Sequence, residues 1–371
     1  MRARMGRVSL RTVWLVAAAA AVMLAAFGVA YHQQVSRTNA ETAAVDVRST
    51  GLIGLSHAAV RNALDPRYTD ADGDLVADPP TDPAKLIDPA TITFCYVSTN
   101  DTEDFEPPFR DLVAALGKAT GKPAEYVRYH NPTDKLRAFR EGKLTVCGLA
   151  TGVVPLGVCT AGFVPVCQAA DANGNAGYKL EVIVPAGSSL SGLASLRGHE
   201  LAVTEPNSNS GYKAPLILMR EKGMVPPRDY AIRFSNSHVN SIRGIKDKTF
   251  QAAAVASDVL ERERNAGHIA AADFKVIYTS DQTFPSAALG IPYNLKPELA
   301  AKIRDVLLHF DFKGTSLAKL FGPEGKVRFV PADYKKDWEY VRRIDDSIGF
   351  AYTLPPAIAD APATAPAAKA K

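Results

Sequence analysis

At 371 residues the chain is long enough for two domains with cores of their own, and 47% hydrophobic against 22% charged residues is the balance of a soluble globular protein. The net charge of +4 sits in Arg2, Arg4, Arg7 and Arg11, and beyond residue 30 basic and acidic side chains balance. A neutral body has no field to steer it to nucleic acid, so any anion it binds must be held by a local site.

The four arginines precede an apolar run over residues 13–30. That order is the one found in secretory signal peptides, with Gly28-Val29-Ala30 as a small-residue cleavage site. The run also reaches the length of a spanning helix, so an uncleaved segment would be a membrane anchor with the body exported. In both cases the expected location is periplasmic or otherwise extracytoplasmic. Residues 31–88 read as a leader or linker with some helix. Within it Asp70, Asp72, Asp74 and Asp78 flank Gly73. Two readings stand: a calcium-stapled turn like the aspartate-rich repeats of extracellular proteins, or a solvated acidic linker. It is not an EF-hand, because the glycine is fourth rather than sixth.

From residue 91 strands alternate with helices. The first strand covers 91–97, and Phe109, Leu112, Val113 and Leu116 then repeat at helical spacing until Gly121. Thr133 or Asp134 can cap a second helix, whose apolar face holds Leu136 and Phe139 and which closes at Gly142. Further strands are expected at 144–147, 178–184, 200–203, 231–234, 252–255 and 275–278, with helical runs at 213–222, 239–247 and 258–266. Such alternation predicts an α/β protein with mostly parallel sheets wrapped by helices. An Ala/Pro-rich tail over 351–371 is expected to be disordered. Four cysteines suit an oxidising compartment. Cys95 with Cys147 and Cys159 with Cys167 is the favoured of three pairings, and four buried free thiols is the other reading. No C-x-x-C spacing supports zinc.

The most informative stretch is Thr204-Glu205-Pro206-Asn207-Ser208-Asn209-Ser210-Gly211-Tyr212. It lies between the strand at 200–203 and the helical run at 213–222. A helix start gathers free N–H groups and the positive end of the dipole, which favours an anion. Ser208 and Ser210 add hydroxyl donors, and Gly211 lets the backbone approach a ligand. The plainer reading is a capping loop.

With these elements in order, the chain resembles the phosphonate-binding periplasmic proteins of ABC importers, from about residue 91 to about residue 323. The segment 205–212 is similar to the family's acidic-Pro-x-Ser-x-Ser-Gly-aromatic loop; Ala176-Gly177-Tyr178 and the run 189–198 are similar as well. The resemblance implies a two-lobed periplasmic binding protein of type II, with a hinge of two crossing strands behind an N-terminal signal or anchor segment. It places lobe one at 89–184 and 282–350, and lobe two at 185–281, with the ligand between them. By the same resemblance Ser208, Asn209 and Ser210 grip the oxyanion, Tyr178 and His238 aim donors at it, and Asp258 faces a ligand amine. Asp258 also suits a helix N-cap, and Tyr178 can simply pack in its strand. Ser98 and Thr99, at the end of the first strand, either reach the cleft or start a turn. Ser286 stands where many members carry a further acid, and a lobe-one tyrosine is replaced near Pro132. Those departures shift the expected ligand toward phosphite, phosphate or methylphosphonate.

The expected function is therefore an extracytoplasmic solute-binding protein that closes on a phosphonate, phosphite or phosphate-like oxyanion and presents it to an ABC permease. The alternative is a membrane-anchored sensory or scavenging binder without transport. A monomer is expected, with no nucleic acid partner and no cofactor other than calcium at the aspartate-rich turn. No G-x-S-x-G, P-loop or H-E-x-x-H suggests an enzyme.

Overall fold

The computed structural model describes residues 63–97, 104–129 and 131–354. The apolar run at 13–30, Ser98, Thr99 and the tail from 355 lie outside the described residues. Among the described residues no helix is long and apolar enough to cross a membrane.

In chain order the strands are β1 (Ile92–Cys95), β2 (Ala124–Tyr126), β3 (Val146–Leu149), β4 (Phe163–Ala170), β5 (Leu180–Pro185), β6 (Glu200–Val203), β7 (Ala231–Phe234), β8 (Ala252–Ala256), β9 (Phe274–Thr279), β10 (Ala288–Pro292) and β11 (Arg328–Pro331). They form two sheets, β11-β4-β10-β3-β1-β2 and β7-β6-β8-β5-β9, both within one compact unit of the chain. The helix Glu106–Thr120 covers the first sheet with the stripe read from the sequence. Phe109, Leu112, Val113 and Leu116 are buried, and Gly121 ends the helix at a φ of 71° by donating to the Gly117 carbonyl. In the second sheet β8 is all small apolar residues and wholly buried, as the middle strand of five must be.

The sheets are mixed rather than mostly parallel. β1 pairs in parallel with β2 and β3, and β6 with β7 and β8. β10 runs antiparallel between β3 and β4, and β5 antiparallel between β8 and β9. The cause lies in the connections. A parallel pair needs a long crossover, but β4 leads into β5 and β9 into β10 by short segments that pass directly from one sheet to the other. Those two segments bond to each other: Tyr178 N donates to Phe284 O (2.9 Å) and Phe284 N to Tyr178 O (2.8 Å). They are the hinge of two crossing strands.

Three expectations change locally. Asn131, not Thr133 or Asp134, caps the helix Pro132–Arg140, its Oδ1 accepting from Asp134 N at 2.8 Å, with Pro132 at the first position. All four cysteines are free and buried. Cys95 and Cys147 are register partners in adjacent parallel strands, but each thiol donates to a backbone carbonyl, Cys95 to Tyr96 O at 3.1 Å and Cys147 to Gly148 O at 3.8 Å. Cys159 faces Tyr334, whereas Cys167 packs into the aromatic core of the first lobe, so their side chains diverge. Finally, the described part of the leader is packed against the first lobe. Tyr68 meets Tyr293 edge-on at 4.9 Å, and Ile87 exchanges backbone bonds with Asn294 and Lys296.

Candidate functional site

The loop after β6 folds back on itself. Thr204 N donates to the Gly211 carbonyl at 3.0 Å, and Ser208 Oγ accepts from Gly211 N at 3.1 Å. The next turn, Asn209–Lys213, is a wide π turn that runs into the helix Ala214–Glu221. Gly211 is required here, since any Cβ would collide with the Thr204 side chain. Ser208 is thus the cap that the sequence offered, yet capping leaves its hydroxyl hydrogen free to donate. Asn209 and Ser210 are almost completely buried. The Asn209 side-chain oxygen and nitrogen, Ser210 Oγ and Thr204 Oγ1 are buried with no partner in hydrogen-bonding geometry. Each such group costs about 1–3 kcal/mol when unsatisfied, so the loop holds donors and acceptors suited to a ligand.

Other elements complete the site. Tyr178, on the hinge, sets its hydroxyl beside Ser210, Thr151 and Asn209, and burial raises its pKa. His238 opens the helix His238–Lys246 behind the cap Ser237. Its Nδ1 accepts from Ala256 N at 3.2 Å, which leaves the proton on Nε2, 3.5 Å from Ser208 Oγ. Burial, with help from the Arg262 charge, pushes its pKa down to about 4, so at neutral pH the imidazole is an uncharged donor.

Asp258 and Glu324 face each other from opposite lobes. Asp258 lies in the helix Ser257–Asn265, where it does not cap: Ala256 holds that position and Asp258 Oδ1 accepts from Val259 N. Burial raises its pKa. Arg262, one turn further along, pairs with Glu324 at 2.7 Å. Burial and the Asp258 charge push Glu324 up to about 8, while Arg262 and Lys326 pull it back. Ser286, the replacement for an acid, accepts from Gly177 N and braces the hinge.

The lobes touch across the cleft. Lys213, wholly buried, donates to the Gly152 carbonyl at 2.9 Å and pairs with Asp345 at 2.8 Å. Burial depresses the Lys213 pKa and raises that of Asp345, and their mutual attraction opposes both shifts. A side chain at Gly152 would strike the Asn207 carbonyl and the Asn209 amide, so glycine lets the ligand loop approach the first lobe this closely. Between the lobes lies a cavity of about 180 Å³, lined by Thr204, Ser208, Asn209, Tyr178, His238 and Asp258 among others. Five of the six described residues expected at the site meet there; Ser210 sits behind them, against the Tyr178 hydroxyl. Sequence reasoning missed Thr204, Arg262 and Glu324. The i, i+4 spacing of Asp258 and Arg262 was the one available signal.

At the aspartate-rich turn Asp70, Asp72 and Asp74 bring carboxylate oxygens within 4.8 Å of one another. Their hydrogen bonds go to amides of the turn itself, and Asp78 accepts from Ala71 N at 2.7 Å. Asp72 and Asp74 are exposed, whereas Asp70 is half-buried and its Oδ1 has no hydrogen-bond partner.

Two α/β lobes, two crossing strands and a polar cleft between them define a type II periplasmic binding protein. The model of the periplasmic substrate-binding protein of phosphonate ABC transporters matches residues 94–338, and the chain belongs to that family. It is therefore a non-enzymatic, extracytoplasmic transport component that binds a small ligand for delivery to a membrane permease. Among solved structures it is similar to PhnD1 from Prochlorococcus marinus in complex with methylphosphonate, with a TM-score of 0.61 and 16% identity over 71% of this chain and 100% of that one. A binding protein component of an ABC phosphonate transporter from Pseudomonas aeruginosa has a TM-score of 0.59 and 19% identity, over 70% of this chain and 89% of the other. The protein XAC2383 from Xanthomonas citri, bound to ATP, has a TM-score of 0.56 and 17% identity, covering 70% and 98%. Likeness at such identities is a likeness of fold.

Proposed function

We infer that the cleft captures a tetrahedral oxyanion, of the phosphonate, phosphite or phosphate type, for ABC-type import. The observation that carries this reading is the pair of lining side chains with unsatisfied polar atoms, Thr204 and Asn209, beside an uncharged His238 whose Nε2–H points toward Ser208. A ligand oxygen there replaces unsatisfied groups with charge-assisted hydrogen bonds, each contributing about 1.5–3 kcal/mol. No lysine or arginine of the loop is needed, because Lys213 is already engaged with Asp345 and Gly152. That PhnD1 from Prochlorococcus marinus holds methylphosphonate supports the same ligand chemistry.

Thermal unfolding against phosphate, phosphite and methylphosphonate tests the reading. A ligand at 100 times its dissociation constant adds about 2.7 kcal/mol and raises the midpoint. The rise is expected to disappear in Ser208→Ala. No rise with any anion, in folded and ligand-free protein, removes the proposal.

A further inference from the structure

Lys213 ends the π turn Asn209–Lys213, and the partners of its side chain all come from outside the second lobe. Its ammonium is wholly buried. It donates to the Gly152 carbonyl at 2.9 Å and to Asp345 Oδ1 at 2.8 Å, and lies 4.0 Å from the centre of the Phe350 ring. Two hydrogen bonds and an aromatic face take up its charge within the protein.

Asp345 and Phe350 belong to one segment. It starts at Trp338, whose indole donates to the Thr151 carbonyl at 3.0 Å, next to the carbonyl that Lys213 uses. It passes the hinge, where Tyr340 packs on Phe284 with ring centres 5.7 Å apart. The helix Glu339–Ser347 then carries Asp345 to Lys213, and Gly349 follows at a φ of 67°. Gly349 N and Phe350 N bond back to the Asp346 and Asp345 carbonyls, the Schellman closure that a left-handed residue allows. That reversal lays Phe350 over Lys213 and lets the Tyr352 hydroxyl donate to Asp345 Oδ2 at 2.8 Å. Arg220, on the helix Ala214–Glu221, donates to the Ser347 carbonyl at 3.0 Å, where the last carbonyls of a helix carry negative charge.

A segment held to the first lobe at Thr151 and to the hinge at Phe284 thus grips the second lobe at Lys213 and Arg220. Rotation about the crossing strands draws the ligand loop away from Gly152, so opening the cleft has to break those grips. Parting a buried charge pair is costly, because each charge loses its partner before water reaches it. We propose that residues 338–352 form a strap across the lobes, that Lys213 is the positioning residue it clasps, and that undoing the clasp sets how fast the cleft releases its ligand. This rests on the oxyanion reading above for the ligand alone; the strap is read from contacts between protein groups.

Dissociation of methylphosphonate from the full-length chain, followed by stopped-flow displacement, tests it. Phe350→Leu takes the ring from a desolvated ammonium and should speed dissociation about tenfold or more. Phe350→Tyr keeps the aromatic face and should stay near the wild-type rate. Arg220→Gln removes a more exposed grip and should speed dissociation about threefold. Leu307→Ala, in the core under the helix Pro297–His309, should lower the unfolding midpoint yet leave dissociation unchanged. A Phe350→Leu rate within about twofold of wild type, or an equal rise in Leu307→Ala, overturns the strap. If methylphosphonate does not bind, the oxyanion reading falls, and hydrogen exchange of the ligand-free proteins decides the strap by itself. Phe350→Leu should then speed exchange of the amides at 209–213 about tenfold, and unchanged exchange there overturns it.

Discussion

The two walls of the cleft are built on opposite principles. The second lobe supplies polar atoms that its own fold leaves unsatisfied, on Thr204 and Asn209. The first lobe supplies aromatic and aliphatic surface, from Phe105, Leu289, Phe321 and Phe329, that belongs to a finished core. One wall gives up folding stability to recognise charge; the other recognises shape at no such cost. Substitutions on the two walls should therefore differ in kind: polar-wall changes should be read in binding, and apolar-wall changes in stability.

The largest effect should come from the contact that presses one wall against the other. Lys213→Ala leaves the Asp345 carboxylate buried without its cation, and loss of one partner of such a pair costs about 3–5 kcal/mol. Urea unfolding should show the loss, and Lys213→Met with Asp345→Leu should recover much of it. If the single change costs under about 1 kcal/mol, Lys213 behaves as a surface lysine and the contact does not hold the lobes.

The apolar wall comes next. Leu289→Ala removes a wholly buried side chain from β10 and is expected to cost about 2–5 kcal/mol of stability. Asn209→Ala should do the reverse. It deletes two unsatisfied buried atoms, so the ligand-free protein should be as stable as before or more so. Loss of one charge-assisted bond, about 1.5–3 kcal/mol, should still weaken methylphosphonate binding about ten- to hundredfold. Denaturant curves with and without ligand separate the two cases. A destabilised Asn209→Ala protein with unchanged affinity would erase the distinction between the walls.

The same division governs how much the sequence disclosed. The polar wall was legible because it is local: Ser208, Asn209 and Ser210 lie together, and small hydroxyl and amide side chains before a helix mean something in one dimension. Elements whose apolar spacing is regular, such as Glu106–Thr120, were legible for the same reason. The apolar wall was not, because Phe105, Leu289 and Phe321 meet only after the chain has crossed the hinge twice, and singly each reads as core. The Lys213–Asp345 pair joins residues 132 positions apart. The Arg262–Glu324 pair likewise joins residues 62 positions apart. Strand direction failed likewise, because antiparallel pairing here follows from where the chain crosses between lobes.

The smallest predicted effect isolates His238 within the polar wall. Its pKa is pushed down from 6.5 to about 4 by burial and the Arg262 charge, so the folded protein keeps the imidazole neutral where the unfolded chain takes up a proton. Stability is therefore fully present above about pH 6.5 and is lost as pH falls from there toward 4. Between pH 7 and 5.5 the loss should be about 1 kcal/mol, and His238→Gln should flatten that part of the profile. An oxyanion beside Nε2 favours the protonated ring and raises the folded-state pKa, so saturating methylphosphonate should shrink the loss and end it at a higher pH. A profile that ligand leaves unmoved would mean His238 only supports the Ala256 amide and does not face the anion.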